Sequence, residues 1–105
     1  MDDLIKILNE MNLPYAYDHF AENESPEPPF MVYLTAGNDN FSADGIAYFK
    51  LNEIHLELYT DFKDPKLEER IEAVLDRHGI FYGKTETWIE SEKLYEVLFI
   101  FDKEA

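Results

Sequence analysis

The sequence predicts an α+β fold: two helices on one face of a mostly antiparallel sheet of four to five strands, in the order α-β-β-β-α-β-β, as one domain over residues 1–105. Three observations carry that expectation. Ile54, Leu56 and Leu58 alternate with Glu53, His55, Glu57 and Tyr59, the period of a half-buried strand. Directly after them, Asp64 stands at a helix N-cap and Pro65 at the first helical position. Leu67, Ile71, Val74 and Leu75 then recur at helical spacing until Gly79 stops the pattern. The third is Leu94–Phe101, with Tyr95, Val97, Phe99 and Phe101 on one face and Leu98 and Ile100 on the other. Apolar on both sides, it reads as a strand central in the sheet or covered on both faces.

In chain order, Leu4, Ile5, Leu8 and Met11 lie on one helical face, with Asp2 or Asp3 available as N-cap and Pro14 ending the pattern. Such a stripe in so small a chain is core packing. Tyr15–Phe20 reads as a short strand, at an edge because Pro14 opens it. ENESPEPP, residues 22–29, has no periodic apolar positions and is a rigid loop extended at its end by Pro28 and Pro29. Phe30–Thr35 is a strand, with Phe30, Val32 and Leu34 opposing Met31, Tyr33 and Thr35. AGNDNFSADG, residues 36–45, has the Gly, Asn and Asp density of a loop or wide hairpin. Ile46–Leu51 starts a strand that continues, through a bend or bulge near Asn52, into Ile54–Tyr59, antiparallel to the Phe30 strand. After the helix, Ile80–Trp88 is strand-like and IESEK, residues 89–93, turns the chain into the last strand.

At 105 residues the chain buries roughly 60 to 70% of the surface its unfolded form would expose, enough to fold unaided. Eight Phe, seven Tyr and one Trp give a packed core rather than a disordered segment. There is no cysteine, so disulfides and thiolate metal sites are excluded, in keeping with a reducing cytosol. MDDLIKILNEMNL lacks the basic start and apolar centre of a secretory signal, and no apolar run approaches a membrane span. The expectation is a soluble protein that is not secreted. Nine Lys and Arg against 23 Asp and Glu give a net charge of −14, which repels phosphate backbones and anionic lipid. No membrane and no sequence-specific nucleic acid is expected as partner.

Asn40, Ser42, Asp44 and Gly45 fit the first positions of an EF-hand loop, but Leu51 falls where the bidentate glutamate is required. A looser cation site from Asp39 and Asp44 competes with an ordinary turn in which these side chains bond their own backbone. His19, His55 and His78 show no paired zinc spacing. His78 falls in the last helical turn, where a cation complements the dipole, and His55 alternates with glutamates on a solvated face. No nucleophile elbow, Walker loop or dinucleotide fingerprint is present. No catalytic residue, metal or cofactor is therefore predicted, and the protein is not expected to be an enzyme.

A sheet with helices on one side leaves the other free. Tyr33, Tyr48, Tyr59, Tyr82 and Trp88 are candidates for that second face, where amphipathic rings mark protein contacts. Self-association is the preferred explanation, against scattered exposed aromatics with no role; Phe41, Ile46, Tyr48, Trp88 and Ile89, in or beside loops, are the expected protein–protein contact residues.

PYAYDHF, PPFMVYLT, NFSADGIAYFK, IHLELYTDFKDPKLEERIE and IESEKLYEVLF together resemble a family of small structural proteins of phages and prophages of Gram-positive bacteria. The likeness runs from Leu4 to Phe101, with ELYTDFKDPKLEERIE its most specific block, and lies near the tail-completion and tail-terminator (head–tail joining) proteins. The resemblance implies an α+β sandwich that forms a homo-oligomeric ring between tail tube and head. Such a ring stops tail polymerisation and docks other tail or head–tail connector proteins. It implies a place in the virion, after assembly in the host cytoplasm. The family has no active-site motif, so no functional residue carries over. An acidic lumen that repels passing DNA suits the charge of this chain. The alternative, from a different class, is an acidic inhibitor or DNA mimic that binds a basic host protein.

Overall fold

The computed structural model describes residues 2–43 and 46–104, with side chains described for residues 3–37 and 51–103. The order is α1 (Asp2–Glu10), β1 (Tyr15–Tyr17), β2 (Phe30–Ala43), β3 (Ile46–Thr60), α2 (Pro65–Arg77), β4 (Gly83–Ile89) and β5 (Leu94–Glu104). The five strands form one sheet in the order β1-β2-β3-β5-β4, antiparallel except where β1 runs parallel to β2. That parallel pair needs a crossover of about a dozen residues, which the segment 18–29 supplies.

Both helices lie on one face of the sheet. Leu4, Ile7, Leu8 and Met11 of α1 join Leu67, Ile71, Val74 and Leu75 of α2 over Met31, Ile54, Leu56, Leu58, Val97, Phe99 and Phe101 in one continuous core. The buried stripe of α1 includes Ile7, and Ile5 is only partly buried against it, one position from the expected set. The helix already includes Asp2, so Asp3 sits in the first turn rather than at the cap, a placement the helix dipole favours. It ends before Pro14, because Asn12 turns into the left-handed region at φ 58°.

α2 follows its sequence signals at both ends. The Asp64 carboxylate accepts the Leu67 N–H at 3.2 Å, and Pro65 opens the helix. At the other end Gly79 takes φ 69°, its N–H reaching Asp76 O while the Ile80 N–H reaches Leu75 O, so the last carbonyls are satisfied by a Schellman closure. Ile80 and Tyr82, expected at the start of a strand, instead pack against the core, and β4 begins only at Gly83.

The segment 36–45, expected as a loop or wide hairpin, continues β2 over residues 36–43, and 44 and 45 lie outside the described residues. Backbone pairing with β3 runs from Phe30↔Tyr59 to Ala43↔Ile46. The expected bulge near Asn52 is carried by the partner strand, because Ala36 is skipped between Thr35↔Ile54 and Gly37↔Glu53. A second one skips Tyr48 between Phe41↔Phe49 and Ser42↔Ala47. Pairing of β3 with β5 stops at Leu51↔Glu104, and β1 reaches only Tyr33. Beyond these limits, among the described residues, β2 and β3 pair only with each other, as a two-stranded arm about 20 Å long. The arm accounts for extents of 50 × 30 × 23 Å and a radius of gyration of 15.0 Å, against about 13 Å for a compact chain of this length.

Candidate functional site

Register decides which side of the sheet each residue faces. Met31↔Leu58↔Val97 and Tyr33↔Leu56↔Phe99 face the helices. Leu34, His55 and Ile100 form one row on the open side, Val32, Glu57 and Leu98 the next, and Phe30, Tyr59 and Glu96 the third. This corrects the expected aromatic second face. Tyr33 packs against the core beside Tyr15 and Tyr17, with ring centroids 6.0 and 5.2 Å away. Tyr82 stacks edge-on to Phe99 at 5.7 Å and bonds Glu72 of α2, and Trp88 lies opposite Tyr95 on the helix side. Only Tyr59 belongs to the open face; the Tyr48 side chain lies outside the described residues. The cause is one residue of phase, since Met31 rather than Phe30 or Val32 meets the helices. Phe30 and Val32 are nevertheless buried, and Phe20 of the crossover and Tyr59 pack on Phe30 at 5.5 and 5.3 Å.

The expected contact residues fall in two places. Trp88 and Ile89 end β4 on opposite faces. The Trp88 ring is 41% exposed, 4.7 Å from that of Tyr95, and its Nε1–H donates to Glu90 at 2.6 Å. Ile89 is half-buried opposite Leu94. Phe41, Ile46 and Tyr48 have their backbones in the arm, at the far end of the sheet, and their side chains lie outside the described residues. The expected cation site from Asp39 and Asp44 lies outside the described residues. No group of three or more His, Cys, Asp or Glu is placed to hold a metal among the described residues. The three histidines bond separate carboxylates: His19 to Asp18, His55 to Glu53 and His78 to Glu10, at 2.8, 2.9 and 2.8 Å.

Two polar clusters lie outside the residues expected from the sequence. On the open face the Tyr59 hydroxyl lies 2.9 Å from Glu57 and 2.8 Å from Glu96, linking β3 to β5. It borders a cavity of about 250 Å3 that Asp18, His19 and Phe20 also line. One phenolic proton cannot serve two carboxylates. Burial pushes the Glu57 carboxyl above its usual range, and the Glu96 charge adds to this against the Tyr59 hydrogen bond. Burial and the two carboxylates also push the Tyr59 phenol far up, so it stays a donor. The cluster thus braces β3 to β5 across the open face.

On the helix side, Glu68 is buried at 4% exposure between Lys63 and Lys84, at 2.7 and 2.8 Å, and Lys84 also reaches Glu72 at 2.8 Å. Burial alone would push the Glu68 carboxyl up; the hydrogen bonds from Lys63 and Lys84 outweigh it and hold it below its usual range. Lys63 also bonds Glu86 of β4, so this network ties the edge strand to α2. Glu68 lies three residues before Ile71 and seven before Leu75, a core spacing that marks it in the sequence.

No family model matches this chain, and no curated protein is similar to it. At the base of the arm Phe81 stands 96% exposed, bordering a shallow pocket shared with Leu51 and Asp102. At the opposite end, Phe62 is 60% exposed in the turn after β3, near the strand ends that carry Trp88 and Tyr95. No described helix is long and apolar enough to cross a membrane.

Proposed function

We propose that this protein is a non-enzymatic structural subunit of a phage or prophage virion, acting in a ring at tail completion or head–tail joining. The observation that carries the assembly part is the arm. A two-stranded ribbon is marginal in water on its own, and along this one neither outer backbone edge is paired with a further strand among the described residues. A neighbouring subunit that pairs with those edges or covers the ribbon supplies what the domain does not. Ring closure needs two different patches on each subunit. The arm base with Phe81 and the Trp88–Tyr95 end with Phe62 supply apolar surface at opposite ends of the sheet. The phage assignment rests on the resemblance of the sequence blocks.

The test is negative-stain imaging of the intact chain, alone and with tail tubes of the phage whose gene cluster encodes it. A variant with residues 40–50 replaced by Asn-Gly, which closes β2 on β3 at Asp39↔Leu51, runs in parallel. Expected are rings, or caps that fix tube length, for the intact chain, and a folded monomer that leaves tubes uncapped for the variant. Phe41→Ser with Trp88→Ser weakens assembly and leaves the monomer folded. An intact chain that ignores the tubes at physiological salt and high concentration overturns the reading. Tight, steeply salt-dependent binding to a basic host protein would then favour the inhibitor class.

A further inference from the structure

The two sides of the sheet differ in charge as well as cover. Glu53, Glu57, Glu96 and Asp102 lie on the open side, around half-exposed Leu34, Leu98 and Ile100, and no Lys or Arg occupies that side among the described residues. The described cations lie elsewhere. Lys63 and Lys84 bond Glu68, Arg77 bonds Glu10 and Lys103 reaches Asp3 on the helix side, Lys93 bonds Glu90 in the β4–β5 turn, and Lys6, Lys66 and Arg70 are carried by the helices.

We infer that the open sheet face docks a protein surface in which apolar side chains are flanked by lysine or arginine. Charge complementarity selects this occupant. A second copy laid face to face would set the same carboxylates against each other, whereas a cationic rim over Glu53, Glu96 and Asp102 lets Leu34, Leu98 and Ile100 bury apolar area. Nucleic acid and anionic lipid are repelled by the same charge. The rigidity of the platform helps, because the strands are fixed from behind by the helix core and across the face by the Glu57–Tyr59–Glu96 brace. This surface is separate from the arm, so a chain that forms no ring still has it.

The probe is a synthetic 14-residue peptide of alternating leucine and lysine, titrated into the 15N-labelled full chain, with oligolysine and a leucine–glutamate peptide as controls. Expected are shifts at Leu34, His55, Leu98 and Ile100 with the leucine–lysine peptide. Binding should fall at least tenfold in the Leu98→Ser, Ile100→Ser double variant, whose helix-side resonances report that it stays folded. Should that variant unfold, Glu96→Gln with Asp102→Asn is the second arm, expected to weaken binding and flatten its salt dependence. The proposal is overturned by the absence of shifts, by shifts spread over both faces, or by equal binding of either control. Concentration-dependent shifts of these amides without peptide, with dimers in sedimentation, would assign the face to a second copy and overturn it as well.

Discussion

On the helix side of the sheet, Ile54, Leu56 and Leu58 of β3 meet Val97, Phe99 and Phe101 of β5 at 3% exposure or less. One residue along the same strands, Glu57, Tyr59, Glu96, Leu98 and Ile100 stay half-exposed. The strands and the hydrogen-bond ladder are shared, so backbone pairing cannot be what separates the two sides. The difference is that one face is finished by α1 and α2 and the other only by the short crossover over Phe30 and Val32. Burial on the first side holds the fold; the second side and the arm are left available for contact.

The comparison can be broken by substitutions of decreasing effect. Leu56→Ala, at the centre of the finished face, should lose about 2–5 kcal/mol in urea unfolding. Glu68→Ala strands two lysines against α2. Because Lys63 and Lys84 are 41% and 35% exposed, solvent screens them, and the loss should be about 1–2 kcal/mol by the same measurement. Its pH dependence has a definite sign. The folded Glu68 is held below the usual carboxylate range, so its contribution is present above that range and is lost as pH falls through the lowered value. Glu68→Gln should therefore flatten the acid limb of the stability profile.

Asp64→Ala removes the cap of α2, and Gly79→Ala forces an L side chain into φ 69°; each should lower stability by about 1 kcal/mol, read from thermal unfolding. Glu57→Gln is the smallest and has the opposite sign. The folded Glu57 is raised, so wild-type stability falls as pH climbs from the usual carboxylate range through the raised value. A glutamine there has no charge to desolvate, so this variant should gain on the wild type as pH climbs through that interval.

The fold class was legible because period-two and helical patterns in Leu51–Gly79 are strong and local, and the Asp64 cap and Gly79 stop sit where local chemistry requires them. The length of β2 was not. Gly37, Asn38, Asp39 and Asn40 read as turn residues, yet they pair with β3, since a strand partner overrides weak intrinsic preference. The phase of Phe30–Thr35 was also hidden: both sets of alternate residues are apolar, and only the register with Leu56 and Leu58 assigns Met31 and Tyr33 to the core. The Glu57–Tyr59–Glu96 cluster spans strands 37 residues apart in sequence, a pairing no local pattern encodes. The charge asymmetry of the faces needs the same register to become visible.

Phe99 and Ile100 are neighbours on β5 that face opposite ways, and urea unfolding of Phe99→Ala and Ile100→Ala tests the division of labour most directly. Phe99→Ala should lose about 3–5 kcal/mol, and Ile100→Ala about 1 kcal/mol or less, with the slope against urea unchanged in both. Equal losses would contradict the account, because the open face would then be part of the interior that holds the isolated chain together.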